Sequence, residues 1–272
     1  MGRLERSWKL IGSSWGVLRK DKELVFLPVI SGVVMLVVCA TFVLGTGVLG
    51  GGPQRWDAQH AALGLAFYVV SFAVAFFFQC ALVAGALERL GGGDPTLGSC
   101  LRAASRRLGP ILMWSLVAGT VGMLLRMVQE KSEIVGKIVA GLLGVVWSLA
   151  TYFMVPVLVM EGRPVNASFH RSWAIFKQTW GETMVGNVGL GLLGLVLFLA
   201  VAIPVALLAY AGAVIPAVIL GAVGLPLVMV ITSSLSGIYL ASLYRYATTG
   251  EVAPGFDRDV LADAFVPKAA KI

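Results

Sequence analysis

The chain has 272 residues, of which 58% are hydrophobic and 13% charged, and its formal net charge is +7. So few charged residues could not cover the surface of a water-soluble globule of this size, so the composition excludes an ordinary soluble protein. It indicates a single membrane domain, because even the longest segments outside the apolar stretches have only about 20 to 30 residues, too few for a core of their own.

Six apolar stretches follow one another along the chain, separated by short segments, and none contains Asp, Glu, Lys or Arg. A helix of about 20 apolar residues crosses a bilayer core and satisfies its own backbone polar groups there. We therefore predict an all-α fold, a polytopic transmembrane helical bundle of six spans with interfacial amphipathic helices on the cytoplasmic side. The predicted spans are Leu24–Leu49, Ala61–Leu87, Gly109–Leu125, Ile138–Met160, Met184–Tyr210 and Ala213–Leu243.

Basic residues are concentrated in alternate connecting segments. Residues 1–23, 88–107, 161–183 and the tail from residue 245 hold 17 Lys and Arg, whereas the remaining segments hold 4. Loops rich in Lys and Arg stay in the cytoplasm, so both termini are predicted to be cytoplasmic. The same distribution makes anionic lipids the expected partners and argues against nucleic acid.

The N-terminal segment has the pattern of an amphipathic helix. Its apolar positions recur at steps of four and three and form one stripe: Leu4, Trp8, Ile11, Trp15 and Leu18. Basic residues occupy the other side: Arg3, Arg6, Lys9 and Lys20. A basic helix with tryptophan on its apolar face is typical of a helix lying in the membrane interface.

This pattern recurs and predicts an internal repeat. Residues 6–8 match residues 171–173, and Trp15-Gly16 matches Trp180-Gly181 at the same spacing. A third copy follows a Gly-x-Pro turn at 93–95, which corresponds to the turn at 162–164. We predict one domain, residues 1–250, made of three units near 1–87, 93–160 and 165–245. Each unit has an interfacial helix and a pair of spans, and residues 251–272 form a short cytoplasmic tail.

The candidate interface residues come from these helices: Trp8, Trp15, Trp173, Trp180, Arg3, Arg6, Lys9 and Arg171. They bind lipid on the functional hypothesis. On the structural alternative they only anchor and orient the bundle.

A second candidate set consists of uncharged polar residues within the spans: Gln79, Asn187, Thr232, Ser233 and Ser236. Such side chains usually bond to their own helix or to a neighbouring one, and we favour that role. The alternative is a narrow polar path through the bundle. Gly119 and Gly122 are spaced for close approach of two backbones.

Prolines and charged residues mark the span ends. Pro156 predicts a kink near the cytoplasmic end of the fourth span. The stretch 213–243 is either one long helix kinked at Pro226 or a short outer element followed by a span, and we expect the largest departure from regular helix there. Glu88 and Glu161 lie beside arginines at span ends, which places them at the interface.

No catalytic motif or metal-ligand pattern is present in the sequence, and no cofactor is expected. His60 and His170 are predicted on opposite sides of the membrane and cannot share a metal. The three cysteines predict no disulfide.

Residues 6–15 and the tail 243–252, followed by Gly255-Phe256-Asp257, resemble a family of uncharacterised prokaryotic six-span membrane proteins, a domain of unknown function. The resemblance implies this topology in a prokaryotic cytoplasmic (inner) membrane, and it implies no substrate, catalytic residue or cofactor.

The functional hypothesis is a non-enzymatic integral membrane protein that interacts with lipids or scaffolds partners at the cytoplasmic face. Its partners are membrane lipids, with a homo-oligomer or another membrane protein as further candidates. One alternative is a channel or uncoupled transporter for a small solute or ion. A second alternative is an interfacial lipid-modifying enzyme.

Overall fold

The computed structural model describes residues 12–19, 21–45, 58–131 and 134–251, and the regular structure in these ranges is helical. A helical segment at 12–19 is followed by the helices with defined ends: α1 Glu23–Gly45, α2 Ala58–Leu90, α3 Leu97–Ser105, α4 Leu108–Lys131, α5 Ile134–Ala150, α6 Met154–Glu161, α7 Val165–Gln178, α8 Trp180–Tyr210 and α9 Val214–Thr249. The all-α prediction is confirmed.

Six of the described stretches are long and apolar enough to cross a membrane, as predicted. They are α1, α2, α4, the pair α5 and α6, α8, and α9. Several helices extend beyond the predicted ends of their spans: α2, for example, runs to Leu90 and α9 to Thr249. The tail beyond residue 251 lies outside the described residues.

The chain forms two compact units. The first contains residues 1–28, 85–96 and 177–272. In it α8 and α9 are antiparallel neighbours joined by a short turn at Gly212. A Cβ at Gly224 would lie 2.7 Å from Val201 Cγ1, so this contact requires glycine.

The second unit contains residues 29–84 and 97–176, and aromatic side chains fill it. Trp114 stacks on Trp147 with ring centroids 5.7 Å apart. A Cβ at Gly122 would lie 3.0 Å from the Tyr68 hydroxyl oxygen, and Gly119 faces the same ring. The predicted glycine pair therefore accommodates a tyrosine side chain rather than a second backbone.

The fourth span is broken rather than kinked. Helix α5 ends at Ala150, a turn covers residues 151–153, and α6 begins at Met154. Proline lacks an N–H and its ring clashes with the carbonyl four residues earlier, here that of Tyr152. The kink predicted at Pro156 is thus replaced by a break in the helix, which lies at the turn just before α6.

The last span is one helix, which settles the alternative left open by the sequence. Helix α9 runs for 36 residues and includes Pro226. The expectation that residues 213–243 would depart most from regular helix is wrong, since the larger departure lies at 151–153.

The second amphipathic stretch also ends earlier than its repeat suggested. Helix α7 ends at Gln178, and α8 begins at Trp180 after Thr179. Trp180 therefore belongs to the membrane-spanning helix, and its side chain lies outside the described residues.

Candidate membrane-interface site

The helical segment 12–19 has one covered and one open side. Ser14, Val17 and Leu18 are buried, whereas Trp15 is 38% exposed. The Arg19 guanidinium carbon lies 5.7 Å from the centre of the Trp15 ring, a cation–π arrangement. This segment therefore presents an aromatic ring and a positive charge together. The predicted site residues Arg3, Arg6, Trp8 and Lys9 lie outside the described part of the chain.

Helix α7 also leaves a tryptophan open. Trp173 is 37% exposed, and its ring stacks on Phe176 with centroids 5.8 Å apart. The buried face of α7 includes the small polar residues Ser168 and Ser172. The face of α7 toward the rest of the unit is thus partly polar and partly apolar, because Ile175 and Phe176 are buried beside these serines.

Ser172 shows why a serine is buried there. Its hydroxyl donates to the Ala150 carbonyl at 2.7 Å and accepts from the Phe153 N–H at 3.1 Å. These are backbone groups at the break between α5 and α6, and buried polar groups need partners. The Ser172 side chain on α7 thus forms hydrogen bonds with backbone groups on both sides of the break in the fourth span. In the sequence, Ser172 stood out only because it matches Ser7 in the predicted internal repeat.

Glu161 forms a second set of contacts, with Arg163 and Arg171. We call these three residues the Glu161 cluster, together with Arg107, which packs against the adjacent Gly162. Glu161 Oε2 lies 2.7 Å from Arg163 Nε, and Oε1 lies 3.0 Å from Arg171 Nε. The ion pair expected for Glu161 beside Arg163 is present. Arg171, predicted to contact lipid, also binds this carboxylate.

A different cluster lies in the first unit and was missed by the sequence analysis. The Asp21 cluster comprises Asp21, Arg89, Asp94, Arg245 and Glu251. Arg89 forms an ion pair with Asp21, which is 5% exposed, and a second with Asp94 at 3.4 Å. Arg245 donates to the Leu90 carbonyl and pairs with Glu251 at 2.9 Å.

The Asp21 cluster joins the start of α1 to the ends of α2 and α9. Burial raises the pKa of the Asp21 carboxyl above its ordinary value, although the Arg89 guanidinium opposes this shift. No local pattern could have paired Asp21 with Arg89, because the two residues are far apart in sequence. The cluster is consistent with the three helix ends lying on one side of a membrane, as the distribution of basic residues predicts.

The predicted polar path does not gain support from its side chains. The Thr232 hydroxyl donates to the Val228 carbonyl of its own helix at 2.8 Å, which is the packing role we favoured. Gln79, Ser233 and Ser236 are exposed. The side chain of Asn187 lies outside the described residues.

Within the described residues, no group of three or more His, Cys, Asp or Glu side chains is placed to hold a metal ion. Cys39, Cys80 and Cys100 are not joined in disulfides. His170 is exposed, and the side chain of His60 is outside the described set.

The six candidate spans, with charged clusters at the helix ends, define a multi-pass membrane protein. Residues 58–255 match the model of a family of unknown function, DUF6159, and the chain belongs to that family. The matched region includes the tail motif at 243–252 but not the opening motif at 6–15. No curated protein matches the chain.

Proposed function

We propose that this protein is a non-enzymatic component of a prokaryotic cytoplasmic (inner) membrane that binds anionic lipids at its cytoplasmic face. Its action is lipid organisation or the scaffolding of membrane partners. The observation that carries the proposal is a partly exposed tryptophan on two flanking helical segments, Trp15 beside Arg19 and Trp173 beside Phe176.

Tryptophan supports this function for a physical reason. Its ring has an apolar body and a polar N–H, so it is most stable where the headgroups meet the acyl chains. A soluble protein would bury such rings, whereas here both lie open next to helices that span the membrane. The Arg19 guanidinium beside the Trp15 ring adds attraction for an anionic headgroup.

The charge distribution supports the orientation. The segments that carry Arg19, Arg89, Arg107 and Arg163 belong to the side with 17 of the 21 basic residues. The cytoplasmic leaflet is the one that attracts polybasic segments when it contains anionic lipids.

The experiment measures lipid selectivity directly. The purified protein is reconstituted in vesicles with spin-labelled phosphatidylglycerol or phosphatidylcholine, and electron paramagnetic resonance gives the relative association constant of the two lipids. We expect phosphatidylglycerol to be favoured about fivefold, since one basic residue near the surface contributes about 1 kcal/mol. The preference should fall as salt is added.

Two variants locate the effect. Arg19→Gln should lower the preference about fivefold, because it removes one basic residue near the surface. Trp15→Ala should lower it about twofold, because the ring that positions the Arg19 guanidinium is lost. Leu36→Ala is the matched control, since Leu36 is an exposed apolar residue inside α1. A wild-type protein with no preference for the anionic lipid would contradict the proposal.

A further inference from the structure

The Glu161 cluster contains more donors than its carboxylate can use. Arg163 and Arg171 each approach Glu161 through Nε. An arginine has five N–H donors in a rigid fork, so the terminal groups of both side chains remain outside these contacts. Arg163 is 52% exposed, and its fork is open to a ligand from outside the protein.

Arg107 adds a third guanidinium. It packs against Gly162, where a Cβ would overlap Cζ and both Nη atoms. Gly162 has φ +62°, a conformation that side chains rarely adopt. No described residue accepts a hydrogen bond from the Arg107 guanidinium or forms an ion pair with it.

Two guanidinium groups therefore contact the Glu161 carboxylate, and a third lies against the adjacent Gly162, so the cluster has an excess of positive charge. It also lies at the ends of two candidate spans, because Glu161 is the last residue of the fourth and Arg107 directly precedes Leu108, the first residue of the third. Span ends lie at the depth of the lipid headgroups. Helix α7 begins at Val165, so its positive N-terminal end is three residues from Gly162.

We propose that the Glu161 cluster is a binding site for a phosphate group, with the headgroup of an anionic lipid as its source. Guanidinium forks match phosphate oxygens in geometry and charge. Glu161 holds Arg163 and Arg171 in place, and Gly162 leaves the space that Arg107 occupies. This inference rests on the proposed function and names a site for it, and free phosphate would satisfy the same chemistry.

Gly162→Ala tests the site, because the added methyl group displaces Arg107. The same vesicle measurement is made with spin-labelled phosphatidic acid. In Gly162→Ala the association constant of phosphatidic acid relative to that of phosphatidylcholine should be about tenfold lower than in wild type, because one charge-assisted hydrogen bond is lost. Gly250→Ala is the matched control: Gly250 also follows a helix with positive φ (+71°), but nothing lies within 4 Å of its Cβ position. It should keep the wild-type selectivity.

Arg107→Gln keeps the inference testable if Gly162→Ala does not fold, since it removes the charge without straining the backbone. It should also lower selectivity about tenfold. Excess inorganic phosphate separates the sources. Displacement of the labelled lipid from wild type but not from Arg107→Gln supports a site that accepts phosphate from either source, and no displacement supports a site selective for lipid.

The outcomes separate the two proposals. A preference for anionic lipid that survives both Gly162→Ala and Arg107→Gln overturns this site and leaves the proposed function standing. A wild-type protein without any preference overturns the proposed function and the site with it.

Discussion

The Asp21 cluster and the Glu161 cluster both join arginines to carboxylates at helix ends, yet they balance charge in opposite ways. The Asp21 cluster has two arginines and three carboxylates, and Asp21 at its centre is buried. The Glu161 cluster has three arginines and one carboxylate, and part of it is exposed. In the first, carboxylates outnumber arginines, whereas in the second the arginines are in excess and have donors left for another molecule.

This difference separates structural from binding arginines. Arg89 and Arg245 use their donors on Asp21, Gly93 and Leu90, so they tie the ends of helices together. Among the residues that the structure describes, the Arg107 guanidinium packs against Gly162 and pairs with no carboxylate. Charge alone could not distinguish these roles, because every one of these arginines lies in a segment counted as basic.

The largest effect should come from Arg89→Gln. Removing Arg89 leaves the buried Asp21 carboxylate without its partner. A fully buried pair would lose about 3–5 kcal/mol, and because Arg89 is partly exposed we expect a loss of about 2–3 kcal/mol. Unfolding in detergent, followed by helix content against temperature or denaturant, measures the loss.

Arg163→Gln is the control for this prediction. Arg163 is half exposed, and Glu161 keeps Arg171, so the variant should lose at most about 1 kcal/mol. Similar losses in the two variants would erase the distinction between the clusters.

A smaller effect is expected at Ser172, which tests what holds α7 beside the Glu161 cluster. Ser172→Ala leaves the Phe153 N–H and the Ala150 carbonyl without their partner, and each unsatisfied buried group costs about 1–3 kcal/mol. Hydrogen exchange at the Phe153 amide should become faster.

Ser148→Ala is a suitable comparison, since the Ser148 hydroxyl is exposed and donates to its own helix at Gly144. Its effect should stay within about 0.5 kcal/mol. If Ser172→Ala were equally mild and left the Phe153 amide protected, the ion pairs of the Glu161 cluster would be what holds α7. Those arginines would then be structural like Arg89.

The smallest effect concerns the pH dependence from Asp21. Because its pKa is raised in the folded protein, the folded state binds this proton more tightly than the unfolded chain. The contribution of Asp21 is therefore most favourable below its ordinary value of 3.8 and declines as the pH rises through the raised pKa.

Unfolding of wild type and Asp21→Asn across this pH window measures the effect. The stability difference, wild type minus variant, should decrease with rising pH. An increase would mean that Arg89 outweighs burial and that the carboxylate is stabilised in its charged form.

Much of the fold could be predicted from the sequence because hydropathy is a local property. Six apolar stretches indicate six spans wherever their side chains point.

The remaining features depend on contacts between distant residues. Pro156 predicts an irregularity, but only the position of Ser172 on α7 shows how the broken span is satisfied. Pro226 also predicts an irregularity, yet it lies in a continuous helix. Proline alone therefore does not determine whether a span is broken. Likewise, neither the role of Gly162 nor that of Arg107 could be predicted without seeing that they touch.

The most direct test of the account is a structure determined experimentally in nanodiscs that contain phosphatidic acid. We expect a headgroup phosphate within hydrogen-bonding distance of Arg107 and Arg163, and none at Arg89. A structure in which the Glu161 cluster binds no lipid, or in which the phosphate binds at the Asp21 cluster instead, would contradict it.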